Sequence, residues 1–329
     1  MKFLRYACLT LISLFFFSQA YAGKITYCSS NGTNGYLQVF SMNEDGSGKK
    51  QLTNLDENCM KPKWSPDGKQ IVFYTDKGMV YLIRNVDKAP GDEPYYLWNG
   101  YYPSFMPSGD EVIFNNEVDD VLSILVIDTL AGAEPQQLSD GSYSNMQALT
   151  PDGSRLVYST FIDNVKTVVM IDLTDTVSFE PEIVSVNREA NIEPDISADG
   201  KLITYSSFDD NLKGTVRLFR NGQETALTKG MPSSNVPRFS PDGKQIAFVV
   251  ISESSVSLYA MDSEGNGKKE IRLSGGSVGT FEWMDSERII YDAGTETRLS
   301  VGIVDVSDGS SELIAEGSFN LHPSYTKAN

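Results

Sequence analysis

Short apolar runs separated by turn residues repeat along this chain and predict β-strands. The clearest example is residues 71–75 (IVFYT), which follow Ser-Pro-Asp-Gly at residues 65–68. In that tetrapeptide, Pro sets the first turn position, Asp can cap its own backbone, and Gly takes a left-handed conformation. A run of β-branched and aromatic residues after such a turn is typical of a strand buried on both faces. The pattern therefore predicts a hairpin, and no helical period competes with it between residues 24 and 329.

The same outline returns at near-constant spacing. It recurs at residues 102–116, 145–160, 193–207, 236–250 and, less well preserved, 279–293. Further along each unit come a third apolar strand ending in Asp or Asn and a weaker fourth strand. Four antiparallel strands per unit are expected to form one blade of a β-propeller.

Counting the units predicts seven blades. One large apolar residue marks the first strand of each complete unit, at Trp64, Phe105, Leu149, Ile196, Phe239 and Trp283. A further step of similar length reaches Tyr325, where the chain has a first strand and then ends. Residues 24–53 contain the three missing strands, so the last blade is predicted to combine both termini, which removes the open edge of the ring. A six-bladed ring is the alternative count.

The first 22 residues are predicted to be a secretory signal peptide. Lys2 and Arg5 precede an apolar run from Leu9 to Phe17, and Ala-Tyr-Ala at residues 20–22 is a cleavage motif. Residues 23–329 are then a single propeller domain. No other apolar run approaches the 18 residues that a transmembrane helix requires. We therefore expect a periplasmic or secreted protein without a transmembrane segment.

The charge of the chain disfavours nucleic acid as a partner. There are 27 Lys and Arg against 44 Asp and Glu, a formal net charge of −17. Binding to phosphates needs a basic face. Acidity of this kind is most simply explained as a solubilising surface.

Two cysteines remain after the predicted cleavage, Cys28 and Cys59. In the propeller, Cys28 should end the second strand of the composite blade, and Cys59 should lie in the crossing loop before the next blade. Both points belong to one face of the disc, and the compartment is oxidising. A Cys28–Cys59 disulfide is therefore predicted.

The same face should carry the binding site. Segments that cross from blade to blade converge on the mouth of a propeller's central channel, where loops commonly recognise ligands. The candidate residues in and beside these crossings are Asn58, Tyr101, Tyr102, Asn145, Asn191, Asn235, Asn320 and His322. The competing interpretation is that these Asn and Tyr side chains only satisfy backbone groups in tight crossings.

The repeat resembles that of a known family. Pro-x-Trp-Ser-Pro-Asp-Gly-Lys-x-Ile-x-Phe at residues 62–73, which returns at 237–248 with Phe239 for Trp, is similar to the TolB-type β-propeller repeat. The resemblance implies a propeller related to periplasmic TolB, which binds a peptidoglycan-associated lipoprotein, to propellers before prolyl-oligopeptidase-like catalytic domains, and to oligogalacturonate lyases. TolB, however, has an N-terminal α/β domain and six blades. None of its binding residues can be transferred, because the binding loops have no motif to match.

No catalytic, metal or cofactor site is predicted. Gly-Gly-Ser-Val-Gly at residues 275–279 matches the nucleophile elbow of serine hydrolases, but an elbow needs a helix after the serine, and here a strand is expected. His322 is the only histidine, so the histidine cluster of the related lyases is missing. Two acidic turns, at residues 43–48 and 262–267, lack the distal Glu of a calcium loop.

The leading hypothesis is a non-enzymatic propeller that binds an envelope or secreted protein or peptide at its loop face or channel mouth. The alternative is a carbohydrate- or uronide-active enzyme, a lyase or a hydrolase, that uses carboxylates at the same mouth. A third is a structural repeat protein with a plugged channel.

Overall fold

The structure is a computed structural model that describes residues 23–87, 93–139, 142–174 and 180–327. Every helix or strand assigned within these ranges is a β-strand. The predicted signal peptide, residues 1–22, lies outside the described residues. None of the described residues forms a helix long and apolar enough to cross a membrane.

The strands are numbered along the chain. The first ten are β1 (Gly23–Ser29), β2 (Gln38–Asn43), β3 (Lys50–Gln51), β4 (Cys59–Trp64), β5 (Ile71–Thr75), β6 (Met79–Ile83), β7 (Tyr95–Asn99), β8 (Tyr101–Phe105), β9 (Glu111–Val118) and β10 (Val121–Asp128). The next nine are β11 (Gln136–Gln137), β12 (Asn145–Leu149), β13 (Arg155–Ile162), β14 (Val165–Asp172), β15 (Glu182–Ile183), β16 (Ala190–Ile196), β17 (Leu202–Phe208), β18 (Gly214–Arg220) and β19 (Gln223–Ala226). The last nine are β20 (Ser233–Phe239), β21 (Gln245–Ile251), β22 (Val256–Asp262), β23 (Lys269–Ile271), β24 (Ser277–Trp283), β25 (Arg288–Thr295), β26 (Arg298–Asp305), β27 (Ser311–Ala315) and β28 (Asn320–Lys327).

These strands form seven four-stranded sheets. Six sheets use four consecutive strands each, from β4–β7 (blade 1) to β24–β27 (blade 6), and all pairs are antiparallel. In each blade the first strand lies innermost, and the chain then proceeds outward. The all-β, seven-bladed propeller predicted from the repeat is confirmed, and the six-bladed count is wrong.

The seventh blade joins the two ends of the chain. Its strand order is β28-β1-β2-β3, so the C-terminal strand is innermost and the N-terminal segment supplies the other three. Ile25 lies opposite Tyr325 in the β1–β28 register. The predicted closure is therefore confirmed.

Aromatic side chains at one position of the second strands fill the space between blades. The six of them are the largest fully buried side chains in blades 1–6: Phe73, Phe114, Tyr158, Tyr205, Phe248 and Tyr291. The whole of β5 is buried, as the uninterrupted apolar run predicts. The cores of neighbouring blades are continuous, since Val72 of blade 1 and Phe114 of blade 2 belong to one cluster.

The repeated turn has the predicted chemistry. Gly68 has φ = 68°, and the Ser65 hydroxyl donates to Asp67 at 2.7 Å while accepting the N–H of Gln70 at 2.9 Å. The hydrogen bond from Ser65 lowers the pKa of Asp67. These turns lie on one face of the disc, here named the turn face. The opposite face, with the crossings between blades, is named the crossing face.

The predicted disulfide is not present in the structure. Cys28 and Cys59 are free, fully buried thiols in one apolar cluster. Cys59 is not in the crossing loop but is the first residue of β4, and its sulfur lies 3.5 Å from the Thr53 hydroxyl. Burial raises the pKa of Cys59 to about 12, so the thiol is neutral and packs as a small apolar side chain.

Candidate functional site

Each innermost strand contains an irregularity at the same place. The register between the innermost strand and its neighbour shifts in every one of the seven blades. In six blades the shift lies between the fourth and the first residue before the large apolar anchor, as between Met60 and Lys63 in blade 1, and in blade 6 it lies one residue earlier. In six blades the third residue before the anchor has a left-handed backbone: Lys61, Tyr102, Met146, Glu193, Val236 and His322. Such a β-bulge redirects a side chain out of the regular alternation.

These six left-handed residues, here named the bulge ring, are unusual because none is glycine. A left-handed conformation costs an L-residue roughly 1–2 kcal/mol, and a β-branched residue such as Val236 is a marked outlier there. Such conformations persist only where the surrounding structure enforces them, and they concentrate at functional sites. All six side chains line one cavity.

That cavity is the central channel. It has a volume of about 770 Å³ and is lined by residues from the innermost strand of every blade. Volumes of this size accommodate drug-sized molecules or a few residues of a peptide. The channel is therefore open enough to bind a ligand, which disfavours the plugged structural repeat considered from sequence.

In blade 6 a buried carboxylate replaces the left-handed residue. Asp292 accepts the N–H of Thr280 at 3.0 Å and the N–H of His322 at 2.8 Å, and it also bonds the Thr280 hydroxyl. A Cβ at position 279 would lie 2.1 Å from Asp292 Oδ1, so this position requires glycine. Burial raises the pKa of Asp292 although these donors oppose the shift.

Three cations converge on the channel wall: Lys61, Lys63 and Arg238. Lys63 forms an ion pair with Glu282. Lys61 has its ammonium 4.8 Å from the centre of the Tyr102 ring. Burial, followed by repulsion from Lys63 and Arg238, lowers the pKa of Lys61.

Arg238 donates its hydrogen bonds to backbone carbonyls. Its Nη1 donates to the carbonyl of Pro237 at 2.7 Å and more weakly to that of Glu193 at 3.4 Å. Among the described residues, neither Arg238 nor Lys61 has a carboxylate ion-pair partner. The two cations are nevertheless attracted by nearby carboxylates, Lys61 by Glu193 and Asp292, and Arg238 by the buried Asp195.

His322 lies beside this cluster. Its Nδ1 is buried without a hydrogen-bond partner, and its side chain lines the channel. Burial, together with the charges of Lys61 and Lys63, lowers the pKa of His322 to about 4. The imidazole is thus neutral at physiological pH and can donate or accept a hydrogen bond.

Apolar side chains surround the channel on the crossing face of blades 2 and 3. Tyr101, Tyr102 and Met146 are 41%, 51% and 42% exposed. Tyr74 supports both tyrosines, with ring centres 5.7 Å from Tyr101 and 5.2 Å from Tyr102. Tyr143 and Phe161 in blade 3 are also exposed and are in edge contact, with ring centres 6.5 Å apart. These five exposed residues are named the collar.

The structure divides the eight predicted site residues into two groups. Tyr101, Tyr102, Asn145 and His322 line the channel. The other four, Asn58, Asn191, Asn235 and Asn320, are not among the lining residues.

Three of these four asparagines make hydrogen bonds that hold the crossings. The Asn58 Oδ1 accepts the N–H of Leu37 at 2.8 Å. The amide of Asn191 donates to the carbonyl of Glu189 at 2.7 Å, and the oxygen of Asn320 accepts from Ser29 at 2.7 Å. These three positions fit the competing interpretation from sequence, in which such asparagines satisfy backbone and neighbouring polar groups.

Sequence reasoning missed the cations. Lys61, Lys63 and Arg238 sit at the third and first positions before the anchors Trp64 and Phe239, so aligning the repeats on their anchors could have brought them together. The alternation of an ordinary strand would have pointed Lys61 and Lys63 to the same side. The bulge could not be read from the residues, since none of the six left-handed positions is glycine.

The structure also shows where the other candidate groups considered from sequence lie. Ser277 begins β24, and its hydroxyl accepts the N–H of Val256 at 3.3 Å; a strand follows it, not the helix of an elbow. The acidic turns are hairpin tips, where Asp45 and Asp262 cap backbone N–H groups. Within the described ranges, no group of three or more His, Cys, Asp or Glu side chains is placed to hold a metal.

Comparison with known proteins identifies the repeat. A family profile described as TolB beta propeller domain matches residues 24–180. Among curated proteins, dipeptidyl-peptidase 5 of Porphyromonas gingivalis is 44% identical over 41 residues, which is 12% of this chain and 6% of that protein. The chain thus spans a small fraction of that relative's length.

Solved structures share the architecture. TolB from Acinetobacter baumannii is 15% identical with a TM-score of 0.59, over 93% of this chain and 67% of that one. A puromycin hydrolase is 13% identical with a TM-score of 0.69, over 91% of this chain and 52% of that one. At such identities the similarity demonstrates the fold alone.

Proposed function

Because this chain is a TolB-type β-propeller protein, we propose that it binds a protein or peptide partner at the mouth of its central channel. The observation that supports this most is the collar, which exposes two tyrosines, a methionine and a further aromatic pair beside an open channel. Exposed aromatic and methionine clusters of this kind are typical of binding surfaces. The channel beyond the collar can accept an extended segment or a protruding loop.

The backbone of the collar supports binding as well. Tyr102 and Met146 belong to the bulge ring, so their exposed side chains are presented by conformations that the blades enforce. A pre-organised surface loses little conformational entropy on association. Aromatic residues on such surfaces commonly carry most of the binding energy.

We further propose that residues 1–22 are a cleaved signal peptide, that residues 23–329 form one propeller domain, and that the protein functions in the periplasm or outside the cell. The sequence motif at residues 20–22 supports this. The partner is then an envelope or secreted protein.

The proposal is tested by site-specific photo-crosslinking in the envelope. A photoreactive amino acid is placed at Tyr102, with Leu130 as the control because it is 70% exposed and lies outside the collar. We expect a defined adduct from position 102 and none from 130. The crosslinked partner is then purified and its affinity measured directly.

Tyr101→Ala and Tyr102→Ala should each weaken that affinity by about tenfold, as expected for aromatic hot spots. Leu130→Ala should leave it unchanged. Equal crosslinking from both positions, or unchanged affinity in both tyrosine variants, would contradict the proposal.

The alternative of a carboxylate-based carbohydrate enzyme would have to use Glu193 and Glu282, the two carboxylates that line the channel. Glu282 is engaged by the Lys63 ammonium and by the Ser324 hydroxyl, and Glu193 accepts from Ser206 at 3.2 Å. These contacts hold both groups as anchored acceptors, which favours binding over catalysis. Turnover in a screen of glycans and uronides, lost in Glu193→Gln, would instead support the enzyme.

A further inference from the structure

The charges of the channel wall specify more about the ligand than the collar does. Five ionised side chains line the channel: Lys61, Lys63, Arg238, Glu193 and Glu282. His322 adds no charge at neutral pH because it is the neutral imidazole described above. The charges of these five lining side chains sum to one net positive charge. Two buried carboxylates outside the lining, Asp292 near Lys61 and Asp195 near Arg238, have pKa values that burial raises.

Neither Lys61 nor Arg238 forms an ion pair among the described residues, although Asp292 attracts Lys61 and Asp195 attracts Arg238. Lys63 is paired with Glu282, but Lys61 faces the Tyr102 ring and Arg238 donates to backbone carbonyls. Both are half-buried, so holding them without a directly paired anion costs free energy. In addition, the buried Nδ1 of His322 has no hydrogen-bond partner.

We propose that the channel binds a carboxylate of the ligand between Lys61 and Arg238, with His322 beside it, while the collar holds an adjacent apolar side chain. This inference rests on the proposed function, because it names the chemical group by which a polypeptide partner would enter the channel. A singly charged carboxylate matches the one net positive charge of the lining side chains better than a doubly charged phosphate does. Arg and Lys are also the side chains that bind carboxylates through charge-assisted hydrogen bonds.

A carboxylate in a polypeptide comes from an acidic side chain or from the C-terminus. Three synthetic probes distinguish these sources: N-acetyl-Trp-Glu-amide, N-acetyl-Trp-Gln with a free C-terminus, and N-acetyl-Trp-Gln-amide, which has neither. His322 is the single histidine of the chain, so its imidazole NMR signals report on the channel without overlap. Each probe is titrated into the purified protein and the shift of these signals is followed.

We expect at least one carboxylate probe to shift the His322 signals saturably and the neutral amide to bind about tenfold more weakly or not at all. The carboxylate probe that binds shows whether the carboxylate of the ligand comes from an acidic side chain or from a C-terminus. Lys61→Met and Arg238→Gln should each weaken the carboxylate probe by about tenfold. The charge-retaining Lys61→Arg should keep most of the affinity and shows that the site still folds.

Lys77→Met serves as the matched control. Lys77 is an exposed lysine on the crossing face that donates to the carbonyl of Asp56 at 3.4 Å, and it is not among the channel-lining residues. Its substitution should not change the affinity for the probe. Equal affinity for the neutral amide, no response to any probe at millimolar concentration, or unchanged affinity in both Lys61→Met and Arg238→Gln would overturn the carboxylate site.

These failures are separate from failure of the proposed function. If crosslinking from Tyr102 finds a partner but the probes show no preference for a carboxylate, the binding face stands and the carboxylate site does not. If the carboxylate probes bind as expected but no partner is crosslinked, the site stands and a polypeptide partner does not.

Discussion

At the scale of single residues, the channel wall contains side chains in backbone conformations and environments that are unfavourable for their residue type. His322 has a left-handed backbone with φ = 54°, a buried Nδ1 without a partner and two lysines as neighbours. Lys61 is equally disfavoured as a cation that is half-buried near Lys63 and Arg238. Residues that oppose folding in this way are commonly retained for function.

His322 should make the stability of the protein depend on pH. Its pKa falls from the ordinary 6.5 to about 4 on folding, so between these values the unfolded chain binds a proton that the folded protein does not. The free energy of unfolding therefore falls as pH drops through this window, by at most about 2 kcal/mol at pH 5. His322→Asn, which tolerates the left-handed backbone, should make this pH dependence shallower.

Urea denaturation of both proteins at pH 7, 6 and 5 measures the effect. The raised pKa of Asp292 acts with the opposite sign, since a carboxyl that stays protonated in the folded protein becomes less favourable as pH rises. Asp292 accepts the backbone N–H of residue 322, which Asn retains, so this contribution is expected in both proteins. Parallel pH profiles for the two proteins would show that His322 is not the source.

At the scale of elements, the innermost strand of each blade combines a regular half with a bulged half. The half near the turn face ends in the anchor and packs into the core, as with Trp64, Phe105 and Phe239. The half near the crossing face has the bulge, and in these blades the third residue before the anchor lines the channel. The packing of the blade interior thus stabilises the strained backbone of the bulge-ring residues that line the channel.

Met146 tests whether the bulge ring stores strain. It is left-handed at φ = 57° and exposed, so replacing it with glycine removes the steric cost and loses little packing. We expect Met146→Gly to raise the free energy of unfolding by up to about 1 kcal/mol, because relief of roughly 1–2 kcal/mol exceeds glycine's greater entropy when unfolded.

The neighbouring residue provides the control. Gln147 is in the same strand without a positive φ, so Gln147→Gly should lower stability by about 0.5–1 kcal/mol. Urea denaturation of both variants measures the difference. A loss in Met146→Gly as large as in Gln147→Gly would mean that the bulge ring is not strained.

At the scale of the whole molecule, stability depends on closing the ring. Glu44 of the N-terminal segment is 4% exposed, forms an ion pair with Arg288 of blade 6, and accepts the Tyr325 hydroxyl of the C-terminal strand at 3.2 Å. Gly23 fits beside them only because it has no side chain, since a Cβ would lie 2.2 Å from the Tyr325 ring. One buried carboxylate thus connects both ends of the chain with the blade before them.

Glu44→Gln keeps the shape of this side chain and removes its charge. Because Arg288 keeps its pair with Asp285, we expect a loss of about 2 kcal/mol, below the 3–5 kcal/mol typical of a fully broken buried pair. The control is Glu264→Gln, which breaks an exposed pair with Arg220 between blades 4 and 5 and should change stability little. Equal urea midpoints for the two variants would show that the Glu44 contacts do not secure the closure.

The sequence by itself determined the all-β class, the four-stranded blade, the count of seven and the closure through both termini. These follow from local turn chemistry and apolar runs repeated at one spacing, and Tyr325 opposite Ile25 confirms the last of them. The tertiary structure alone decided which side chains meet in the channel. Lys61 and Arg238 are far apart in the chain and become neighbours only because the blades close into a ring. It also separated Tyr101 and Tyr102, which line the mouth, from Asn191 and Asn320, which hold the crossings, because the direction of a side chain depends on backbone geometry that composition and spacing do not encode.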